Sequence, residues 1–130
     1  MSKQKAKANT ITKVQVEQFE MLVSLLRSSY SEVKELSKKK PDGALSNFKV
    51  NLINKILIPL KDLFANESVN QFLELLDTDT LPYNSDAVLV MGQYIAAAES
   101  FKNKRMIEVP EPVFDGVFTS KEWNLAEDKK

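Results

Sequence analysis

Apolar residues recur every three to four positions through most of the chain, and the most apolar stretch of twenty predicts a helix over Leu45–Phe64. At about 100° per residue, Leu45, Phe48, Leu52, Ile53, Ile56, Leu57, Leu60, Leu63 and Phe64 share an arc of roughly 180°, with Val50 at its margin. So broad an arc exceeds what one neighbour covers. This helix is therefore expected to be the central one of a bundle, with two or more elements packed on it. Its other face carries Asn47, Asn51, Asn54, Lys55, Lys61 and Asp62. Ile58 falls within that polar face, directly before Pro59, whose ring lacks an N–H and clashes with the carbonyl of Lys55. A kink at the proline that returns Ile58 to the core is the first expectation. An exposed apolar contact is the second.

The preceding helix is punctuated clearly. Thr12 and Gln15 match a capping box, and Ile11 with Val16 supplies a hydrophobic staple around it. The pattern predicts a helix from there to about Lys39, stopped by Pro41, Asp42 and Gly43. Its seam is Val16, Phe19, Val23, Leu26, Tyr30 and Val33, in alternating steps of three and four. Met21, Leu22, Leu25 and Leu36 widen the seam to one side, which favours a bundle helix over a two-stranded coiled coil. A homodimer through this helix is the alternative. The short connection makes the two helices antiparallel neighbours, and Asp42 or Ser46 is placed to cap the second.

Ser68 and Gln71 repeat the capping-box spacing and predict a short helix through Leu76. A turn-rich loop over 77–84 then leads to a third long helix, capped by Asn84 or Ser85, with Val88, Met91, Ile95, Ala98 and Phe101 as its inward stripe. Beyond Met106, Pro110 and Pro112 impose extended chain. Asp115-Gly116 between two Val-Phe pairs is a hairpin signal with very short arms. Thr119 and Glu122 match a third capping box, around a final helical turn with Trp123 and Leu125. The expected fold is all-α: three long helices and one short one in a small antiparallel bundle over residues 11–106. A disordered basic arm, 1–10, precedes it. A partly extended, proline-containing segment, 107–130, packs on it.

Composition removes most chemistry. The 130 residues include no cysteine and no histidine, which excludes disulfides, thiolate metal sites, cysteine nucleophiles and every Ser-His-Asp arrangement. Asp77 and Asp79, with Glu74 and Asp86 nearby, lack the central glycine and closing glutamate of a calcium loop. Ser37 beside Lys38, Lys39 and Lys40 has nothing to form an oxyanion hole. The chain is expected not to be an enzyme and to hold neither metal nor cofactor. No apolar run approaches the roughly 18 residues of a membrane span, and the lysine-rich start lacks the apolar stretch of a secretory signal. A cytoplasmic protein without membrane contact follows.

The net charge is zero but the charges are segregated, with 12 basic and 5 acidic residues before position 62 and the reverse bias after it. Intramolecular complementarity accounts for this without a ligand. Lys3, Lys5, Lys7 and Lys13 could still contact phosphates, although the arm has no aromatic residue for base stacking. More specific is the surplus of apolar surface. Phe114, Phe118 and Trp123, with neighbouring valines, are too apolar to stay in water, so the tail docks either on its own bundle or into a second chain. The column Asn47, Asn51 and Asn54, with Ile58, is a second candidate interface. The reading is a non-catalytic protein–protein interaction module, such as a small subunit, adaptor or inhibitor of a bacterial or phage-like complex. Its partner is another protein chain or a second copy. A nucleic-acid-binding accessory protein using the basic arm is the alternative.

Overall fold

The thirteen-atom helical ladder dominates the chain but does not account for all of it. The computed structural model describes residues 9–113 and 116–126, with the backbone alone at 111–113 and 116–118. Among them are helices α1 (Lys13–Lys39), α2 (Asn47–Leu63) and α3 (Asn84–Lys104), a 3-10 helix (Ser68–Phe72), and strands β1 (Met106–Val113) and β2 (Gly116–Trp123). The strands pair antiparallel, from Met106 opposite Trp123 to Val113 opposite Gly116. The protein is mostly helical with a small two-stranded sheet, which overturns the all-α expectation. Two local signals misled. Thr119 and Glu122 have capping-box spacing, yet they lie in β2 opposite Pro110 and Ile107. Ser68 and Gln71 open only a 3-10 turn, without a side-chain cap.

The first helix follows its punctuation closely. Thr12 Oγ1 accepts from the Gln15 N–H at 3.1 Å, and Gln15 Oε1 accepts from the Thr12 N–H at 3.1 Å. Ser46 Oγ caps α2 by accepting from the Lys49 N–H. Asn84 does something other than cap α3. Its N–H donates to the Gly43 carbonyl at 2.7 Å and its Nδ2 to the Lys40 carbonyl at 2.9 Å, joining the α1–α2 loop to the start of α3. A Cβ at Gly43 would sit 3.2 Å from Lys40 Cβ and 3.3 Å from Asn84 Nδ2, so a larger residue here would press these neighbours apart by a few tenths of an ångström.

The central element is α1 rather than α2, because α1 packs against both other helices. Phe19, Leu26 and Val33 of the predicted seam are buried together with Leu22 from its widened side. Met21 and Leu25, expected beside them, are exposed because no element among the described residues covers that flank. The α2 arc is rotated from its predicted centre. Val50, Ile53, Leu57, Leu60 and Phe64 point inward, while Phe48 and Leu52 are 73% and 47% exposed. α2 itself stays helical through Pro59.

The flank of α2 away from α1 is covered by irregular chain instead of a helix. Leu73 and Leu76 are buried in this stretch. Asn54 Nδ2 donates to the Leu76 carbonyl at 2.9 Å, and Asn54 Oδ1 accepts from the Leu76 N–H at 3.0 Å. Lys61 Nζ donates to the carbonyls of Asn70 at 3.1 Å and Leu73 at 2.9 Å, and Asn70 Nδ2 donates to the Lys61 carbonyl at 2.8 Å. Side chains of α2 thus satisfy the backbone groups that a helix through Leu76 would have paired internally. The segment then runs back to Pro82, whose carbonyl accepts from the Leu45 N–H. α2 and α3 consequently run in the same direction, both opposite to α1.

At the far end, Phe19, Phe64, Phe101 and Trp123 form an aromatic cluster with centroid separations of 5.0 to 6.4 Å. Trp123 Nε1–H donates to Glu20 at 3.2 Å, and the Asn124 N–H donates to the Arg105 carbonyl at 2.7 Å. Ile11 then pairs in parallel with Leu125. At Trp123 the tail therefore docks on its own bundle. Arg105 lies 3.9 Å over the Phe101 ring and 2.9 Å from Glu67, which also meets Lys104 at 3.1 Å. Burial pushes the Glu67 carboxyl up, but its hydrogen bonds to Arg105 and Lys104 outweigh this and hold it below its ordinary value.

Candidate interaction surface

Large apolar side chains left in water are informative when they cluster rather than when they are scattered. On α1, Met21 and Leu25 are 56% and 47% exposed. One turn beyond Leu25, Ser29 lines an open groove of about 200 Å³ with Val33, and with Phe48, Leu52 and Ile53 of α2. Helical spacing places Met21, Leu25 and Ser29 on one stripe of α1. The small Ser29 leaves the groove floor to Val33 and Ile53, which are buried. The rim carries the Lys49–Glu32 ion pair at 3.2 Å. An open pair of this kind is worth about 0–1 kcal/mol and defines the edge more than it stabilises the fold.

The volume decides the type of ligand. Sites for small molecules are concave and run from roughly 300 to 1,000 Å³. A shallow groove of about 200 Å³ between two antiparallel helices matches one or two large side chains from a third helix. A wider depression of about 350 Å³ between α1 and α3 is bordered by Glu20, Arg27, Glu99 and Lys102, with Arg27 and Glu99 paired at 3.4 Å. Phe19, Val23 and Ala98 line it as well, so apolar surface is present there beneath a charged rim.

The residues singled out in the sequence separate in space. Asn47 and Asn51 are exposed and bonded to each other at 3.1 Å. Asn54 is buried and bonded to Leu76, so it is not part of any exposed face. Ile58 is 53% exposed, so the helix does not turn it into the core at Pro59. Trp123 is half-buried against Phe19. Phe114, Lys3, Lys5 and Lys7 lie outside the described residues, and Phe118 is described by its backbone alone. Lys13 is exposed at the first position of α1. Periodicity places Phe48 and Leu52 inward, and nothing in the sequence signals their exposure. The tertiary rotation of α2 alone reveals it.

Among the described residues no group of three acidic side chains is placed to hold a metal ion. Asp77 instead closes a turn. Its Oδ1 accepts from the Asp79 N–H at 2.8 Å and the Thr80 N–H at 3.0 Å. Those bonds, to Thr80 and then to Asp79, hold its carboxyl below the ordinary range. Lys38 Nζ pairs with Glu35 at 3.3 Å. No helix among the described residues is long and apolar enough to cross a membrane. Comparison with protein-family models, curated proteins and solved structures finds no match to this chain.

Proposed function

We propose that this protein is a non-catalytic protein-interaction module that receives an amphipathic helix of a partner protein on the outer face of α1 and α2. The observation that carries the reading is the exposure of Phe48 and Leu52 on the open α1–α2 groove, with exposed Met21 and Leu25 on the same stripe of α1 as Ser29. The inner side of that helix pair is covered by α3 and the Leu73–Pro82 segment, whereas its outer side presents large apolar side chains to water. A helix laid there would bury them against Val33 and Ile53, the mode in which i, i+4 anchors enter a hydrophobic groove. The lack of cysteine and histidine supports a binding role over a catalytic one.

Affinity capture from lysate of the source cells, with wild type beside a Phe48→Asp, Leu52→Asp double variant, tests this. Both side chains are exposed, so the variant is expected to fold with an unchanged helical spectrum. A protein captured by wild type and lost from the variant is the expected result. Equal capture by both chains, or none by either, overturns the reading.

A further inference from the structure

The two edges of the hairpin are chemically different. Beyond its base at Trp123 and Asn124, the hairpin has no extensive packing on the helices among the described residues. An isolated pair of strands is marginally stable in water, and each outer edge is a template for another strand. In an antiparallel ladder, alternate residues turn their N–H and C=O groups toward the partner strand or outward. Pro110 and Pro112 pair with Thr119 and Val117 inside an unbroken ladder, yet have no N–H to give. They must therefore occupy outward-facing positions. The bond from the Asn124 N–H to the Arg105 carbonyl has the same parity.

The outer edge of β1 thus lacks two of its donors and is closed to pairing. The outer edge of β2 turns the complete N–H and C=O groups of Val117, Thr119 and Lys121 outward. One edge is blunted and the other is open.

We propose that the open edge of β2 pairs with β2 of a second copy of this chain, antiparallel about a two-fold axis, giving the four-stranded order β1–β2–β2–β1. Two features favour a second copy. Antiparallel pairing sets the two helical bodies at opposite ends of the strands, about 25 Å apart, so they do not collide. Both outer edges of the resulting sheet are proline-blunted β1 strands, so assembly closes at two chains instead of continuing as a fibre. Seven-residue strand pairing buries less than the roughly 1,200 Å² of small stable interfaces, so the dimer dissociates readily and is concentration-dependent. The two-fold must match outward residues with outward residues, which centres it on Thr119 or Ser120.

The test follows from the logic of the blunted strand. Thr119→Pro with Lys121→Pro removes outward donors from β2 without removing any bond to β1. Sedimentation equilibrium across the micromolar range is expected to show reversible dimerisation of wild type, weakened at least about tenfold in the double variant. Emission of Trp123, the single tryptophan, is expected to be unchanged if the hairpin base is intact. A wild-type chain that remains monomeric throughout overturns the proposal. So does a dimer that persists in the variant, which places association on another surface such as the Phe48–Leu52 face. If the prolines unfold the hairpin, Thr119→Cys and Ser120→Cys decide separately, because the chain has no other cysteine. A disulfide-linked dimer from one of them is expected, and its absence from both under oxidation overturns the pairing.

Discussion

Asn54 offers a direct measure of how this protein covers a helix flank without a second helix. Its amide both donates to and accepts from Leu76, at 2.9 and 3.0 Å, in a buried site. Truncation to alanine leaves the Leu76 N–H and C=O in apolar surroundings. An unsatisfied buried group costs about 1–3 kcal/mol, and loss of the buried amide offsets part of this, so Asn54→Ala is expected to destabilise by about 2–4 kcal/mol. For a chain of 130 residues that lowers the Tm by on the order of 10 °C. Asn51→Ala serves as the reference: it removes an exposed bond to Asn47 on the same helix and should change stability by less than about 0.5 kcal/mol. Urea denaturation of both variants measures the difference, and hydrogen exchange at the Leu76 amide locates it. Equal costs for the two variants, or unchanged protection at Leu76, would refute the reasoning.

Further outcomes follow from burial and charge. Leu57→Ala, at a fully buried site, is expected to cost about 2–5 kcal/mol, whereas Leu52→Ala on the exposed face costs under about 1 kcal/mol; thermal melts of the pair check this. Tyr94 is buried with a hydroxyl that has no partner among the described residues, so Tyr94→Phe should be neutral or stabilising by up to about 1 kcal/mol in urea melts. Burial, with the charge of Glu74 second, pushes the Tyr94 phenol up to about 12. Because that folded pKa is raised above 10, its contribution to stability is complete below pH 10 and is lost as pH rises toward 12, which absorbance titration at 295 nm follows. Glu67 has the opposite sign. Its folded pKa lies below the ordinary 4.5, so its contribution is present above pH 4.5 and falls away as acid protonates it. The stability advantage of wild type over Glu67→Gln should therefore shrink as the pH falls below the ordinary 4.5, and a pH-independent difference would contradict the pairing with Arg105.

The parts legible in the sequence are those controlled by neighbours along the chain. The Thr12–Gln15 cap, the end of α1 at Lys39, the Ser46 cap and the extended backbone around Pro110 and Pro112 depend on residues within a few positions of one another. The apolar period of α1 also placed Phe19, Leu26 and Val33 in its buried stripe, but not Met21 and Leu25, which it grouped with them and which are exposed. The same local rules failed where distant groups compete for a backbone. Ser68–Gln71 signals a helix start, but Asn54 and Lys61 capture the backbone of the following residues. Thr119–Glu122 signals another, but pairing with β1 supplies the hydrogen bonds first.

Which side of an apolar arc meets water is likewise a tertiary decision. Periodicity gave α2 a wide face and grouped Phe48 and Leu52 with Ile53 and Leu57, since all are hydrophobic at helical spacing. The rotation of α2 in the assembled protein then buried Asn54, exposed Phe48, Leu52 and Ile58, and made α1 the central helix. Sequence alone determined the three long helices, the caps at Thr12 and Ser46, and the absence of histidine and cysteine chemistry. Only the packed structure decided which residues a partner can reach, because exposure depends on what lies across from a side chain rather than beside it.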